Sequence, residues 1–240
     1  MCKLLGVLAA GAVAFLGLAD GIYPVYYDCS YPPGGVESFT RLYLINETNS
    51  GTHYSIVLYS FQGEELGSGN FFINPYATHS IALTELISGD RTFAWGLCLV
   101  LTHPGELKLI VERYQGGRLL GYETIPQDAV GNYHAFFYNA SHSPGGPDND
   151  THLAIMNPTG NTTGYWIELY DAYGNRVVST SGTLKPWRTA VWRLADLITG
   201  PRDFAWGLCI VEGTQYAYEL VAVNVFRLRD GVFISSETVP

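Results

Sequence analysis

Large apolar side chains alternate with other residues in two stretches of the chain, residues 54–59 and residues 165–170. A period of two is typical of a strand that buries one side of a sheet. Gly63 and Gly174 follow a few residues later, and glycine after an alternating stretch favours a hairpin turn. Both stretches therefore predict antiparallel strand pairs with one face in a core.

The two stretches belong to a long internal repeat. Residues 93–98, Phe-Ala-Trp-Gly-Leu-Cys, recur letter for letter as residues 204–209, and the offset of 111 holds without a gap from residue 40 to residue 100. A fixed long period indicates one structural unit built twice. Residues 123–126 match 237–240 at an offset of 114, so the second copy carries three extra residues between 212 and 229. We predict one domain over residues 21–126 and a second over residues 127–240.

Each copy reads as about seven short strands separated by turn residues, which predicts an all-β fold of two homologous antiparallel β-sandwiches in tandem, Ig-like or jelly-roll-like. Residues 107–114 and 119–125 are the last two strands of the first copy. Residues 84–89 and 195–200 each end in glycine and predict one helical turn. In the shared hexapeptide, we expect Trp95 and Trp206 to lie between the sheets.

Residues 1–20 belong to neither copy. Lys3 precedes an unbroken apolar run from Leu4 to Ala19, which is shorter than the ~20 residues of a membrane span. A charged start, an apolar middle and a small residue at the end are typical of a secretory signal peptide. A retained anchor or packing helix is the alternative. The signal peptide predicts a secreted protein located outside the cell or on its surface.

The composition limits the kinds of molecule that the protein is expected to bind. A net charge of −9 makes nucleic acid an unsuitable partner, and 47% hydrophobic residues are enough to bury a core. Four asparagines fit the glycosylation acceptor pattern, as polar loop residues first and as glycan sites if the host glycosylates: Asn46, Asn139, Asn149 and Asn161.

The second copy also resembles a known group of β-sandwich modules. It contains Asn157-Pro158, a Tyr170 to Gly174 hairpin, residues 186–189 (Pro-Trp-Arg-Thr), Arg193 and Asp196-Leu197. In this order of elements the chain is similar to the sensory rhodopsin transducer family and resembles tandem secreted bacterial and archaeal sandwich modules. The resemblance covers roughly residues 131–230, and it implies a sandwich fold rather than a chemistry.

The sequence contains few motifs that indicate catalysis or metal binding. It lacks the common nucleophile, zinc and phosphate-binding motifs. Asp148-Asn149-Asp150 is either a solvated acidic loop or a calcium-binding loop. We predict a protein that is not an enzyme, with no catalytic residue, no metal and no cofactor.

The cysteines provide one candidate for a disulfide bond within the chain. Cys98 and Cys209 occupy matching positions, whereas Cys29 has no counterpart. Cys29 and Cys98 are therefore disulfide candidates in the first copy. Cys2 leaves with a cleaved signal peptide, so Cys209 remains as the odd thiol, either buried and unpaired or paired between molecules.

Strand parity points Trp166, Tyr170, Trp187 and Arg193 outward in the second copy, on one face if their strands share a sheet. Exposed aromatic side chains can stack on sugars, contact a partner or pack across strands. The favoured hypothesis is an exported structural protein, a subunit of a filament, fibre or surface layer. Its partners are copies of itself, and the first strand is a donor for strand exchange. The alternative is a secreted carbohydrate-binding or adhesion protein with glycan partners.

Overall fold

The computed structural model of the chain describes residues 21–103, 105–214 and 220–240. The predicted signal peptide and Cys2 lie outside the described residues. The described part is built almost wholly of antiparallel strands, which confirms the predicted all-β fold. Within these ranges, no helix has the length and apolar character needed to cross a membrane.

The first sandwich contains strands β1 to β8. Its two sheets have the strand orders β1-β6-β3-β4 and β5-β2-β7-β8. The strands are β1 (Gly21–Asp28), β2 (Ser38–Asn46), β3 (Thr52–Ser60), β4 (Glu65–Ile73), β5 (Thr78–Ala82), β6 (Trp95–Thr102), β7 (Leu107–Gln115) and β8 (Arg118–Ile125). A 3-10 turn at Leu83–Glu85 follows β5, in the place where a helical turn was predicted.

The second sandwich repeats this plan with strands β9 to β16. Its sheets have the orders β9-β14-β11-β12 and β13-β10-β15-β16. The strands are β9 (Tyr133–Asn139), β10 (Asn149–Met156), β11 (Thr163–Asp171), β12 (Arg176–Leu184), β13 (Thr189–Arg193), β14 (Trp206–Gly213), β15 (Ala222–Arg229) and β16 (Val232–Val239). A single helical turn, α1 (Leu194–Leu197), follows β13.

Alternating side chains fill each core as the sequence pattern predicts. In β3, Tyr54, Ile56 and Leu58 are buried in the first core, and their counterparts in β11 are buried in the second. Gly63 and Gly174 close the following hairpins at φ of +84° and +83°. Glycine is favoured there because other residues rarely adopt a left-handed backbone.

Glycine in the shared hexapeptide allows a close approach between strands. A side chain at Gly96 would begin 2.5 Å from the carbonyl oxygen of Tyr59, and Gly207 meets Tyr170 in the same way. The β3–β4 pairing shifts its register between Leu58 and Tyr59, beside this contact. Any larger residue would push β6 away from β3, which explains the glycine in both copies.

The structure corrects the expected position of the hexapeptide tryptophans. Cys98 and Cys209 point into the cores, and side chains alternate along a strand. Trp95 and Trp206, three residues earlier, therefore point to the outer faces of their sheets. Trp206 is 40% exposed, so it is not a core residue.

β1 is an edge strand in the first sandwich's own sheet. It pairs with β6 along all of its residues, from Gly21 to Asp28. Tyr23, Val25 and Tyr27 are buried in the core of the same chain. Within the single chain, β1 therefore completes the edge of its own sandwich.

Candidate functional site

The sandwiches are joined through an outer sheet face of the first one. We call this the docked face: the outward side of the sheet β1-β6-β3-β4, where Val57, Tyr59, Leu97, Leu99 and Leu101 are buried. Met156 and Ala222 lie in the same buried cluster and come from the outward side of the sheet β13-β10-β15-β16. The contact is a third hydrophobic core, located between the domains.

Trp187 anchors one end of this contact. Its ring stacks on that of Tyr59 with centroids 5.1 Å apart and planes 11° from parallel. Next to it, the Arg188 Nε donates a hydrogen bond to the carbonyl oxygen of Gln62 at 2.9 Å. The backbone N–H of Thr189 donates to the carbonyl oxygen of Phe61 at 3.2 Å. The β3–β4 hairpin is thereby held against the segment that leads into β13.

A buried polar network closes another part of the contact. The guanidinium of Arg113 forms an ion pair with Glu123 and donates a hydrogen bond to the Ser236 Oγ of the second sandwich at 2.9 Å. Asn224 Nδ2, also from the second sandwich, donates to the Glu123 carboxylate at 3.1 Å. Because both charges are nearly inaccessible to solvent, these hydrogen bonds supply the polar partners that water would otherwise provide.

The second sandwich presents the same surface uncovered. We call it the open face: the outward side of the sheet β9-β14-β11-β12, where every residue matches a docked-face residue at the offset of 111. Leu97 is 0% exposed, whereas its counterpart Leu208 is 41% exposed. Four aromatic side chains share this face and are 40–54% exposed: Phe137 and Trp206 beside Leu208, and Tyr133 and Trp166 beside Glu212.

The open face also carries acids where the docked face is apolar. Glu168 stands at the position of Val57, and Glu212 at that of Leu101. The Glu168 carboxylate accepts hydrogen bonds from the Tyr170 hydroxyl at 2.6 Å and from Arg176 at 3.0 Å. These two bonds, that from Tyr170 first, hold the pKa of Glu168 below its usual value. Arg176 offsets the charge of Glu168, so exposed Glu212 supplies the clearer negative charge of this face.

The buried polar network has an exposed counterpart on the second sandwich. Arg227 forms an ion pair with Glu237 and donates to the carbonyl oxygen of Phe137 at 3.3 Å. In the first sandwich, Arg113 donates in the same way to the carbonyl oxygen of Tyr26. The side chain of Glu237 is 46% exposed, against 5% for Glu123. The same pair is thus found once inside the domain contact and once in solvent.

The predicted surface of four residues is divided between two sheets. Trp166 and Tyr170 lie on the open face. Trp187 lies at the domain contact, and Arg193 forms an ion pair with Asp150 on β10. The prediction failed for this pair because β13 crosses from the sheet that contains β12 to the opposite sheet. Sequence reasoning missed Phe137 and Leu208, although both match apolar positions of the first copy.

The cysteines form no disulfide in the described residues. Cys29, Cys98 and Cys209 are free and fully buried. The expected Cys29–Cys98 bond is absent because the backbone of Cys29 bonds to Ala94, whereas Cys98 pairs with Val25. Four residues of extended strand span roughly 13 Å, and a disulfide needs Cα atoms within about 7 Å. Burial raises the pKa of the Cys29 thiol to about 12, and it also raises that of Cys209.

The four candidate glycosylation sites differ in access. Asn46 is 1% exposed, and its amide donates to the carbonyl oxygens of Ser50 and Asn74. Asn46 therefore serves as a polar residue that holds the turn after β2, and its amide is buried. Asn139 and Asn149 are half-buried and bond to Ser141, and Asn161 is exposed in a turn.

The acidic loop is neutralised by basic side chains. Arg202 donates to Asp148 at 2.9 Å, and Arg193 and His152 bond to Asp150. Burial opposes ionisation of Asp150, but the bonds from His152 and Arg193 outweigh it and lower the pKa of that carboxyl. Within the described ranges, no group of three or more histidine, cysteine or acidic side chains is placed to hold a metal ion.

A cleft of about 570 Å³ separates the sandwiches beside the contact. Its walls include the stacked pair Phe39 and Tyr114, with centroids 4.3 Å apart, and Phe226 from the other side. Arg113 lies 5.3 Å from the centre of the Phe226 ring. The cleft thus has aromatic walls, and the buried Arg113 guanidinium is among its lining groups.

Comparisons with known proteins add no family. No family model matches the chain, and no curated protein matches it. Among solved structures, the chain is similar to a glycosyl hydrolase family 2 member from Bacteroides cellulosilyticus DSM 14838, at 9% identity and a TM-score of 0.18 over 91% of this chain and 27% of that one. A second structure of a family 2 member from Bacteroides cellulosilyticus gives 8% identity, a TM-score of 0.18 and coverage of 90% and 25%. The chain thus spans about a quarter of these structures, and neither likeness carries an argument about its activity.

Proposed function

We propose that this protein is a non-enzymatic structural subunit that associates with copies of itself outside the cell, as part of a filament, fibre or surface layer. The observation that carries the proposal is the open face. The same set of positions is buried by a neighbouring sandwich in the first domain and is exposed in the second. A surface built to pack against a sandwich domain is thus available at one side of the chain.

The chemistry of the open face supports a protein partner. Leu208 and Phe137 are adjacent across the β9–β14 pair, and Trp206 adjoins the same ring with centroids 6.4 Å apart. Contiguous exposed apolar side chains mark interaction sites on proteins. Aromatic residues dominate the central, well-packed contacts of protein interfaces. The apolar run before residue 21 supports export as the second part of the proposal.

Sedimentation velocity over a range of concentrations tests the proposal. We expect the chain to form large species as its concentration rises, because each subunit keeps an uncovered apolar face. Leu208→Asp, in the centre of that face, should keep the chain monomeric. Val36→Asp, at an exposed aliphatic residue in the β1–β2 loop, is the matched control and should assemble like the parent. A parent chain that stays monomeric at every concentration would refute the proposal.

Carbohydrate binding remains the alternative function, and two observations favour it. Trp166 offers a flat ring that is 46% exposed, and the cleft between the sandwiches has the aromatic walls on which sugar rings stack. A glycan array probed with the parent and with Trp166→Ala and Tyr114→Ala distinguishes the two functions. Glycan binding that is lost in either variant, by a chain that stays monomeric, would favour the alternative.

A further inference from the structure

We propose that the open face of one chain docks on the outer face of the sheet β5-β2-β7-β8 in a second copy, and that this contact repeats the domain contact within the chain. We call the second surface the acceptor face; its central residues are Tyr43, Ile45, Lys108 and Ile110. The inference rests on the proposed self-association and specifies its partner surface. Chains would then join head to tail.

The acceptor face is identified by the repeat. Inside the chain, the sheet β13-β10-β15-β16 covers the docked face. The sheet of the first sandwich that corresponds to this covering sheet is β5-β2-β7-β8. Strand register fixes the matching positions. Met156 pairs with Ala222 between β10 and β15, and Ile45 pairs with Lys108 between β2 and β7. Ile45 and Lys108 thus stand where Met156 and Ala222 stand in the domain contact.

The two surfaces differ from the domain contact in a complementary way. Val57, Leu101 and Ala222 share one buried apolar cluster. At the matching positions between chains, the open face has Glu168 and Glu212, and the acceptor face has exposed Lys108. Compared with the domain contact, the open face and the acceptor face both have charged residues in place of apolar ones, and the two charges have opposite signs. Charges of opposite sign across an interface fix its register and exclude wrong partners.

An aromatic anchor is repeated as well. Trp187, which stacks on Tyr59, has a left-handed backbone with φ of +62°, and Tyr76 at the matching position has φ of +54°. Aromatic residues rarely adopt this conformation, and strained backbone is kept where the surrounding structure uses it. Tyr76 is 73% exposed within the chain. Head-to-tail docking would place its ring on Tyr170, the counterpart of Tyr59.

A contact between two different faces does not close on itself. Such heterologous contacts continue into open chains unless a rotation closes a ring. Docking of two open faces on each other would instead give a closed dimer, with Glu212 of each copy on the same surface and with Lys108 outside the contact. The two arrangements therefore differ in their response to charge reversal at Lys108.

Reciprocal charge reversal in the full-length chain tests the inference. Lys108→Glu places an acid against Glu212, and Glu212→Lys places a base against Lys108. Each variant alone should raise the concentration needed for assembly at least tenfold, since like charges in contact are strongly unfavourable. An equimolar mixture should restore large species, because every junction then pairs one acid with one base. Arg229→Glu and Glu85→Lys, exposed and outside both faces, are the charge-matched controls.

The outcomes separate this inference from the proposed function. All four variants lie at exposed positions and should melt at the parent temperature, which shows that they fold. If Lys108→Glu assembles like the parent, or if the mixture fails to recover, the acceptor face is wrong although self-association stands. If the parent chain itself does not assemble, both proposals are wrong.

Discussion

Trp187 of the second sandwich lies flat on Tyr59 of the first, with ring centroids 5.1 Å apart. The pair connects two domains that are copies of each other, so each of its members has a counterpart. Tyr76 and Tyr170 are those counterparts, and within one chain Tyr76 is 73% exposed. Matching positions of the two copies therefore lie in different environments, one at the domain contact and one in solvent. Comparing substitutions at the two positions measures how much docking contributes to stability.

Truncating the aromatic side chain should destabilise the chain at the buried position and have little effect at the exposed one. Trp187→Ala deletes a large ring from the domain contact and should lower the free energy of unfolding by about 3 kcal/mol, as for other large truncations. Tyr76→Ala should stay within about 0.5 kcal/mol, because the ring is in solvent. Urea denaturation at concentrations where the chain is monomeric measures both. Equal losses in the two variants would show that Trp187 does not hold the sandwiches together.

The two arginine–glutamate pairs form a second comparison. Glu123→Ala leaves the guanidinium of Arg113 buried without its partner and should cost about 3–5 kcal/mol. Glu237→Ala breaks the matching pair in solvent and should cost at most about 1 kcal/mol. The measurement is again denaturation of the monomeric chain. A cost for Glu237→Ala as large as that for Glu123→Ala would mean that solvent exposure does not decide the strength of these pairs.

The hexapeptide tryptophans should also differ. Trp95 stacks on Phe61 with centroids 4.4 Å apart and planes 7° from parallel, whereas Trp206 meets Phe137 at 6.4 Å and an angle of 46°. Trp95→Ala should therefore lower the melting temperature more than Trp206→Ala. Thermal unfolding followed by circular dichroism tests the order. A larger effect of Trp206→Ala would return that side chain to the core, where the sequence pattern had placed it.

Thiol reactivity tests the cysteine assignments. Burial raises the pKa of Cys29, Cys98 and Cys209, and thiolates rather than thiols react with alkylating reagents. Iodoacetamide at pH 8 should leave these three residues unmodified in the folded chain and modify all of them in urea without reductant. Peptide mapping by mass spectrometry identifies each site. A Cys29–Cys98 peptide that remains linked in urea would restore the disulfide.

Much of the fold could be predicted from the sequence because its signals are local. Alternation in residues 54–59 and the glycines at 63 and 174 depend on neighbouring residues, and the repeat transfers each assignment to the other copy. Sheet membership is not local. β12 and β13 are consecutive in sequence, yet they lie in opposite sheets, and this separates Trp187 from Trp166.

The domain contact was beyond sequence reasoning for a similar reason. Parity shows that Leu97 and Leu208 point away from the core, but not which of them another domain covers. The acids Glu168 and Glu212, at the positions of Val57 and Leu101, were the available signal. They mark the outer face that one chain leaves in solvent. The cysteine pair failed because the sequence does not give the register between β1 and β6, which places Cys98 opposite Val25 and away from Cys29.

Electron microscopy of the full-length chain, at a concentration where it assembles, shows whether the subunits join head to tail. Head-to-tail docking should give linear filaments in which sandwich domains follow each other at a uniform spacing, because junctions within and between chains use matching faces. It also predicts that Leu208→Asp abolishes them. Isolated two-domain particles, or closed dimers joined through their open faces, would contradict it.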